Sequence, residues 1–172
     1  VRALYMMGEN PALSDPNLNR TRAALEKVDF LVCQEIFMSE TAEFADVVLP
    51  ALSFAEKEGT FTNTERRIQR VRKALNGPGD AREDWQIICD VSTAIGYPMQ
   101  YENASEIMDE IASVTPVYGG ICYDRIESAG LQWPCTDKNH PGTMYLHRGE
   151  FKRGKGRFHT VKFREPAEQT DR

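Results

Sequence analysis

An α/β fold is what this sequence predicts: an open, mostly parallel sheet with flanking helices, followed by an irregular, coil-rich segment. Three observations predict it. Residues 3–7, 30–33 and 46–49 are short runs dominated by apolar residues, as expected of strands covered on both faces. Helix-length stretches with short connections separate them, the alternation of a parallel α/β sheet. Each run is followed by a polar motif, and right-handed crossovers put all the strand ends on one side. A nucleotide binds at that edge in Rossmann-like sheets, in the crevice outside the carboxyl ends of the strands.

In chain order, residues 3–7 form the first strand, and Gly8 permits a tight turn after it. Pro11 excludes helical geometry at Asn10. A helix is expected to start near Asp15, with Pro16 at its first position and Leu18, Ala24, Leu25 and Val28 on its apolar side. The second strand covers 30–33, Ser39 caps a short helix through Ala45, and the third strand covers 46–49 before Pro50. Residues 51–75 are ambiguous, with weak alternation over 60–64 and a basic stretch after it. The run Asn76-Gly77-Pro78-Gly79-Asp80 is a loop. Helices follow over 83–95, with Trp85, Ile88, Val91 and Ile95 near one face, and over 105–113. From Pro116 to His159 glycine, proline, aromatics and isolated charges give ordered but irregular coil. The implied organisation is a partial cofactor-binding α/β domain over 1–114, an irregular segment over 115–160 packed on it, and a linker over 161–172.

Composition sets the outer limits. At 172 residues with 41% apolar content the chain can bury one ordinary core. Its net charge of −5 disfavours an electrostatic grip on nucleic acid. No apolar run is long enough to span a bilayer. Cys33, Cys89, Cys122 and Cys135 are widely spaced, without a Cys-x-x-Cys pair, so a metal site within the chain is disfavoured. This cysteine usage points to a reducing compartment, the cytoplasm, with the periplasm as the alternative. The chain reads as a fragment of something longer.

The polar motifs carry the chemistry. Gly8-Glu9-Asn10-Pro11 lies between strand and helix, the context of a nucleotide-binding first turn, although it is not a Gly-x-Gly-x-x-Gly loop. The Asn10 amide can donate to phosphate or ribose oxygens and accept from a base. Glu35, about two dozen residues on, stands where an acidic residue accepts from ribose hydroxyls; Gln34 precedes it. Lys57 is either a surface lysine or a point charge facing phosphate. Arg66, Arg67, Arg70, Arg72 and Lys73 are either a solvated face or a contact to a diphosphate or an acidic domain. Asp84, near a helix start, is either a cap favoured by the dipole or the partner of guanine N1–H and N2–H donors. His140, His147 and His159 lack metal spacing, and no reactive centre is visible in the chain.

The runs Ala3-Leu4-Tyr5-Met6-Met7-Gly8-Glu9-Asn10-Pro11, Val32-Cys33-Gln34-Glu35-Ile36-Phe37 and Ala45-Asp46-Val47-Val48-Leu49-Pro50 resemble the molybdopterin oxidoreductases. So do residues 56–67 and 79–85. The resemblance is strongest to formate dehydrogenase catalytic (alpha) subunits, which Trp133-Pro134-Cys135 and His140-Pro141-Gly142-Thr143 also resemble. It implies a bis(molybdopterin guanine dinucleotide) cofactor, with molybdenum or tungsten, in a parent that oxidises formate to carbon dioxide. Electrons would leave through iron–sulfur clusters ligated outside this chain, toward electron-transfer subunits. By motif position it implies cofactor contacts from Asn10, Gln34, Glu35, Lys57 and Asp84, and Gly8 and Glu9 of the first turn join them as candidate cofactor-binding residues. The metal ligand, with its His and Arg partners, would lie upstream, so the isolated piece is expected to be inactive and metal-free. Two alternatives stand beside this: a nitrate reductase of the same superfamily, and a non-catalytic scaffold or electron-transfer subunit. Such a scaffold would be expected to lose the polar residues that this chain keeps.

Overall fold

The computed structural model describes residues 1–165, so the last seven residues of the expected 161–172 linker lie outside the described residues. The chain divides into two compact units. The first comprises Val1–Ser53, Gly77–Ile88 and, among the described residues, 160–165; the second comprises Phe54–Asn76 and Cys89–His159. Residues 115–159 therefore share a unit with 54–76 and 89–114.

In the first unit, strands β1 (Ala3–Met7), β2 (Phe30–Glu35) and β3 (Val47–Pro50) form a parallel sheet in the order β1-β2-β3. Met7, Gln34 and Leu49 share one register row, so Gly8, Glu35 and Pro50 lie at the same edge. The expected adjacency of the first two strands is thus borne out. Between β1 and β2 the structure differs from the helix expected at Asp15. Helix α1 (Pro11–Ser14) is a single turn, and α2 (Leu18–Leu25) starts after Asn17. Asn17 adopts the left-handed conformation, which asparagine tolerates, and its side chain accepts from the Arg20 amide. The short helix expected after Ser39 is a 3-10 turn, Ala42–Phe44, whose cap position is Thr41 rather than Ser39; Ser39 Oγ, two residues before that cap, accepts from the Ala42 amide.

One face of this sheet is covered. Leu4 and Met6 of β1, Leu31 and Cys33 of β2 and Val48 of β3 pack with Ala12, Leu25 and Ala42. The other face, bearing Tyr5, Met7, Phe30 and Val47, is largely exposed. The Gly8 amide donates to the Gln34 carbonyl, and the Phe30 amide donates to the Arg2 carbonyl. Backbone groups alternate sides along a strand, so Ala3, Tyr5 and Met7 direct theirs away from β2. Among the described residues no strand pairs with β1 on that outer side. Beyond β3 a single parallel bridge joins Ala51 to Arg82 and leads into α3 (Asp84–Ala94). The apolar stripe expected on this helix is not what it buries: Ile87 and Cys89 are buried, while Ile88 and Ile95 are exposed. Its start belongs to the first unit and its remainder to the second, so one periodic stripe does not decide its burial.

The ambiguous stretch 51–75 contains a hairpin in the second unit. Strand β4 (Gly59–Thr62) pairs antiparallel with β5 (Arg67–Val71). Their turn is closed by Arg66 N–H on the Asn63 carbonyl and by Arg67 N–H on Asn63 Oδ1. Helix α4 (Ala104–Val114) is capped by Asn103, whose Oδ1 accepts from the Ser105 and Glu106 amides. The coil-rich segment then contributes a short helix, α5 (Tyr123–Ile126), and strand β6 (Leu131–Gln132), which pairs with β5. Ile68, Met108, Ile121, Ile126 and Cys135 form the core of this unit.

Candidate functional site at the sheet edge

The carboxyl edge of the parallel sheet gathers six of the seven residues singled out by sequence. Gly8 turns the chain off β1 with φ +63°, and a Cβ placed there would meet no atom within 4 Å. The space above this turn is therefore open. Glu9 beside it is exposed. At the end of β2, Glu35 is half-buried and its Oε1 accepts from the Ile36 amide at 2.7 Å.

Asn10 is committed to the protein itself. Its Oδ1 accepts from Thr41 N at 3.1 Å and Thr41 Oγ1 at 2.8 Å, and its Nδ2 donates to Glu40 at 2.7 Å. That bond holds the Glu40 carboxyl below its ordinary range. Thr41, fully buried, also accepts from the Ala12 amide, so the first turn is tied to the loop after β2.

Gln34 is 1% exposed. Its Oε1 accepts from the Tyr5 hydroxyl at 2.5 Å, and its Nε2 donates to Asp84 Oδ1 at 2.8 Å. Burial, and secondarily the Asp84 charge, raises the Tyr5 pKa. Asp84 stands in the first turn of α3, where the helix dipole favours a carboxylate. Burial, then the Glu35 charge, raises the Cys33 thiol pKa; this cysteine is a core residue.

Lys57 belongs to the second unit, half-buried on the bend ahead of β4. The four arginines of the basic cluster are engaged within that unit. Arg66 donates to the carbonyls of Trp133, Thr143 and Met144, while Arg67 pairs with Glu65. Arg70 and Arg72 pair with Glu127. Among the described residues no His, Cys, Asp and Glu side chains gather as a metal site. Sequence reasoning missed Tyr5, Glu40 and Thr41. Tyr5 had a usable signal, since it shares the period-2 face of β1 with Met7, the register partner of Gln34.

The model of the molybdopterin oxidoreductase family matches residues 1–94, which carry the whole edge just described. The chain belongs to this family. Curated relatives match over nearly all of it. It is 50% identical, over 100% of its length, to the F420-dependent formate dehydrogenase subunit alpha of Methanocaldococcus jannaschii. It is 46% identical over 99% to F420-dependent formate dehydrogenase 2 subunit alpha of Methanococcus maripaludis, and 46% over 98% to a probable oxidoreductase of Bacillus subtilis. The chain spans 26% of each archaeal relative and 17% of the Bacillus protein. Among solved structures, acetylene hydratase from Pelobacter acetylenicus matches with a TM-score of 0.63 and 18% identity, over 86% of this chain and 19% of that one. That likeness speaks for the α/β fold alone. Family membership implies a molybdopterin cofactor in the parent enzyme.

The acceptors at this edge have the chemistry to receive a nucleoside. An open glycine turn lets a ligand approach the backbone closely. Glu35 and Asp84 supply acceptors suited to ribose hydroxyls and to the N–H groups of a base.

Proposed function

We propose that this chain is the part of a formate dehydrogenase alpha subunit that holds the guanosine end of a bis(molybdopterin guanine dinucleotide) cofactor. The observation that carries the reading is 43–50% identity, along essentially the full chain, to three formate dehydrogenase alpha subunits. The sheet edge supports it, since its acceptors suit a guanosine. Glu35 takes the ribose hydroxyls, Asp84 takes guanine N1–H and N2–H, and Gly8 and Glu9 form the wall of the approach. Asn10 braces the first turn through Thr41. Lys57 is assigned to a phosphate on charge alone.

When bound, the cofactor supplies the metal centre that accepts two electrons as formate becomes carbon dioxide. This chain's residues bind and orient its nucleotide end. Electron-transfer subunits carrying iron–sulfur clusters would complete the assembly.

The test is Asp84→Asn in the full-length parent, measured as guanine nucleotide and metal per polypeptide beside turnover per metal. Replacing an acceptor by a donor should lower affinity roughly tenfold to a hundredfold. Occupancy should fall while turnover per metal holds. Full occupancy with collapsed turnover would refute the assignment of Asp84.

A further inference from the structure

Gln34 sits between a hydroxyl and a carboxylate with almost no exposure of its own. Asp84 Oδ1 lies 2.8 Å from one end of its amide and the Tyr5 hydroxyl 2.5 Å from the other. A carboxylate only accepts, so the amide end facing Asp84 must be the NH2, which leaves the oxygen facing Tyr5. Tyr5 must then donate. The three side chains, from β1, β2 and the start of α3, admit one hydrogen-bond direction: Tyr5 to Gln34 to Asp84. The Asp84 carbonyl also lies 3.4 Å from the same amide nitrogen, which ties the carboxylate to the helix start that bears it.

We infer that Gln34 is a positioning residue that fixes the plane of the Asp84 carboxylate for guanine, and that Tyr5 sets its direction, neither touching the nucleotide. This rests on the reading that Asp84 meets the base. Guanine offers two adjacent N–H donors, N1–H and N2–H, and a carboxylate meets both only in one plane. An amide N–H on one oxygen, locked from behind by a hydroxyl, holds that plane before the ligand arrives. The family resemblance alone made Gln34 a ligand. Its burial and its two internal partners make it a support.

The experiment uses the full-length, cofactor-loaded parent and follows the guanine nucleotide remaining per polypeptide during dialysis. Asp84→Asn, Gln34→Leu and Tyr5→Phe are compared singly and in the two double variants that include Asp84→Asn. Gln34→Leu, which removes the bonds to both Tyr5 and Asp84, should speed nucleotide loss about tenfold, and Tyr5→Phe, which removes one hydrogen bond, about threefold to fivefold. In the Asp84→Asn background neither should add more than a small further loss, because both act through that carboxylate. Effects that persist undiminished in that background overturn the inference. So does unchanged retention in Tyr5→Phe and Gln34→Leu when Asp84→Asn loses nucleotide. Retention unchanged in Asp84→Asn instead overturns the underlying guanosine reading. Tyr5→Phe keeps the test decisive if Gln34→Leu fails to fold.

Discussion

Gly8 and Gly130 hold nearly the same left-handed backbone, with φ of +63° and +68°, in opposite surroundings. Open space faces Gly8, whereas a Cβ on Gly130 would lie 2.4 Å from the Ile68 carbonyl oxygen. The contrast extends to the polar side chains. Around the parallel sheet edge, Tyr5, Gln34 and Asp84 bond to one another. In the second unit, Arg66 and Arg125 spend their donors on backbone carbonyls. Side chains that brace each other beside open space are what the proposed nucleotide site requires. Side chains that satisfy carbonyls replace the regular structure a coil segment lacks.

The comparison is broken most severely by alanine at the two glycines. Gly130→Ala adds a collision with backbone to left-handed strain and should cost about 3 kcal/mol or more. Gly8→Ala carries only the strain, about 1 kcal/mol. Chemical denaturation of the cofactor-free protein would show this gap, and equal losses would refute the distinction.

Arg125→Ala should cost about 2–3 kcal/mol by the same measurement. It strips the Gly120, Asp137 and His140 carbonyls of a shared donor. Lysine should not restore the loss, because one ammonium cannot reproduce the fork. Full rescue by Arg125→Lys would show that charge alone matters there.

Asn10→Ala should cost less, about 1–2 kcal/mol, by leaving the Thr41 amide and hydroxyl without their acceptor. Hydrogen exchange should rise at Thr41 and Ala12. Unchanged protection would mean that the first turn does not depend on this brace.

The smallest effect concerns acid. The Arg72 hydrogen bond, helped by Arg70, lowers the pKa of Glu127. The stability this adds is present above the ordinary carboxylate pKa and is lost as pH falls through the lowered value. Glu127→Gln should remove that part of the acid sensitivity while scarcely changing stability at low pH. An identical acid profile for the two proteins would show the pairing to be energetically silent.

The first unit was legible because each of its strands contains an apolar run with a local polar or turn signal beside it: Gly8 after β1, and Gln34 and Pro50 within the last residues of β2 and β3. The same locality exposed Gly8 and Glu35 as edge residues. Tyr5 was hidden because a tyrosine inside an apolar run reads as packing, and only the register with Gln34 gives its hydroxyl a purpose. The second sheet was illegible for another reason. β5 carries Arg67, Gln69 and Arg70, and Arg70 is matched by Glu127, 57 residues away. The coil after Pro116 depends on Arg125 reaching four separate residues, an arrangement with no period to detect.

The outer rim of β1 bears on handling as well as on form. Ala3, Tyr5 and Met7 present amides and carbonyls there in strand geometry, and Tyr5 and Met7 are 40% and 47% exposed beside them. Such a rim is an adhesive strip, able to pair with an identical rim on another molecule without any unfolding. For a polypeptide of these residues alone, that strip is a route to self-association that leaves the core untouched.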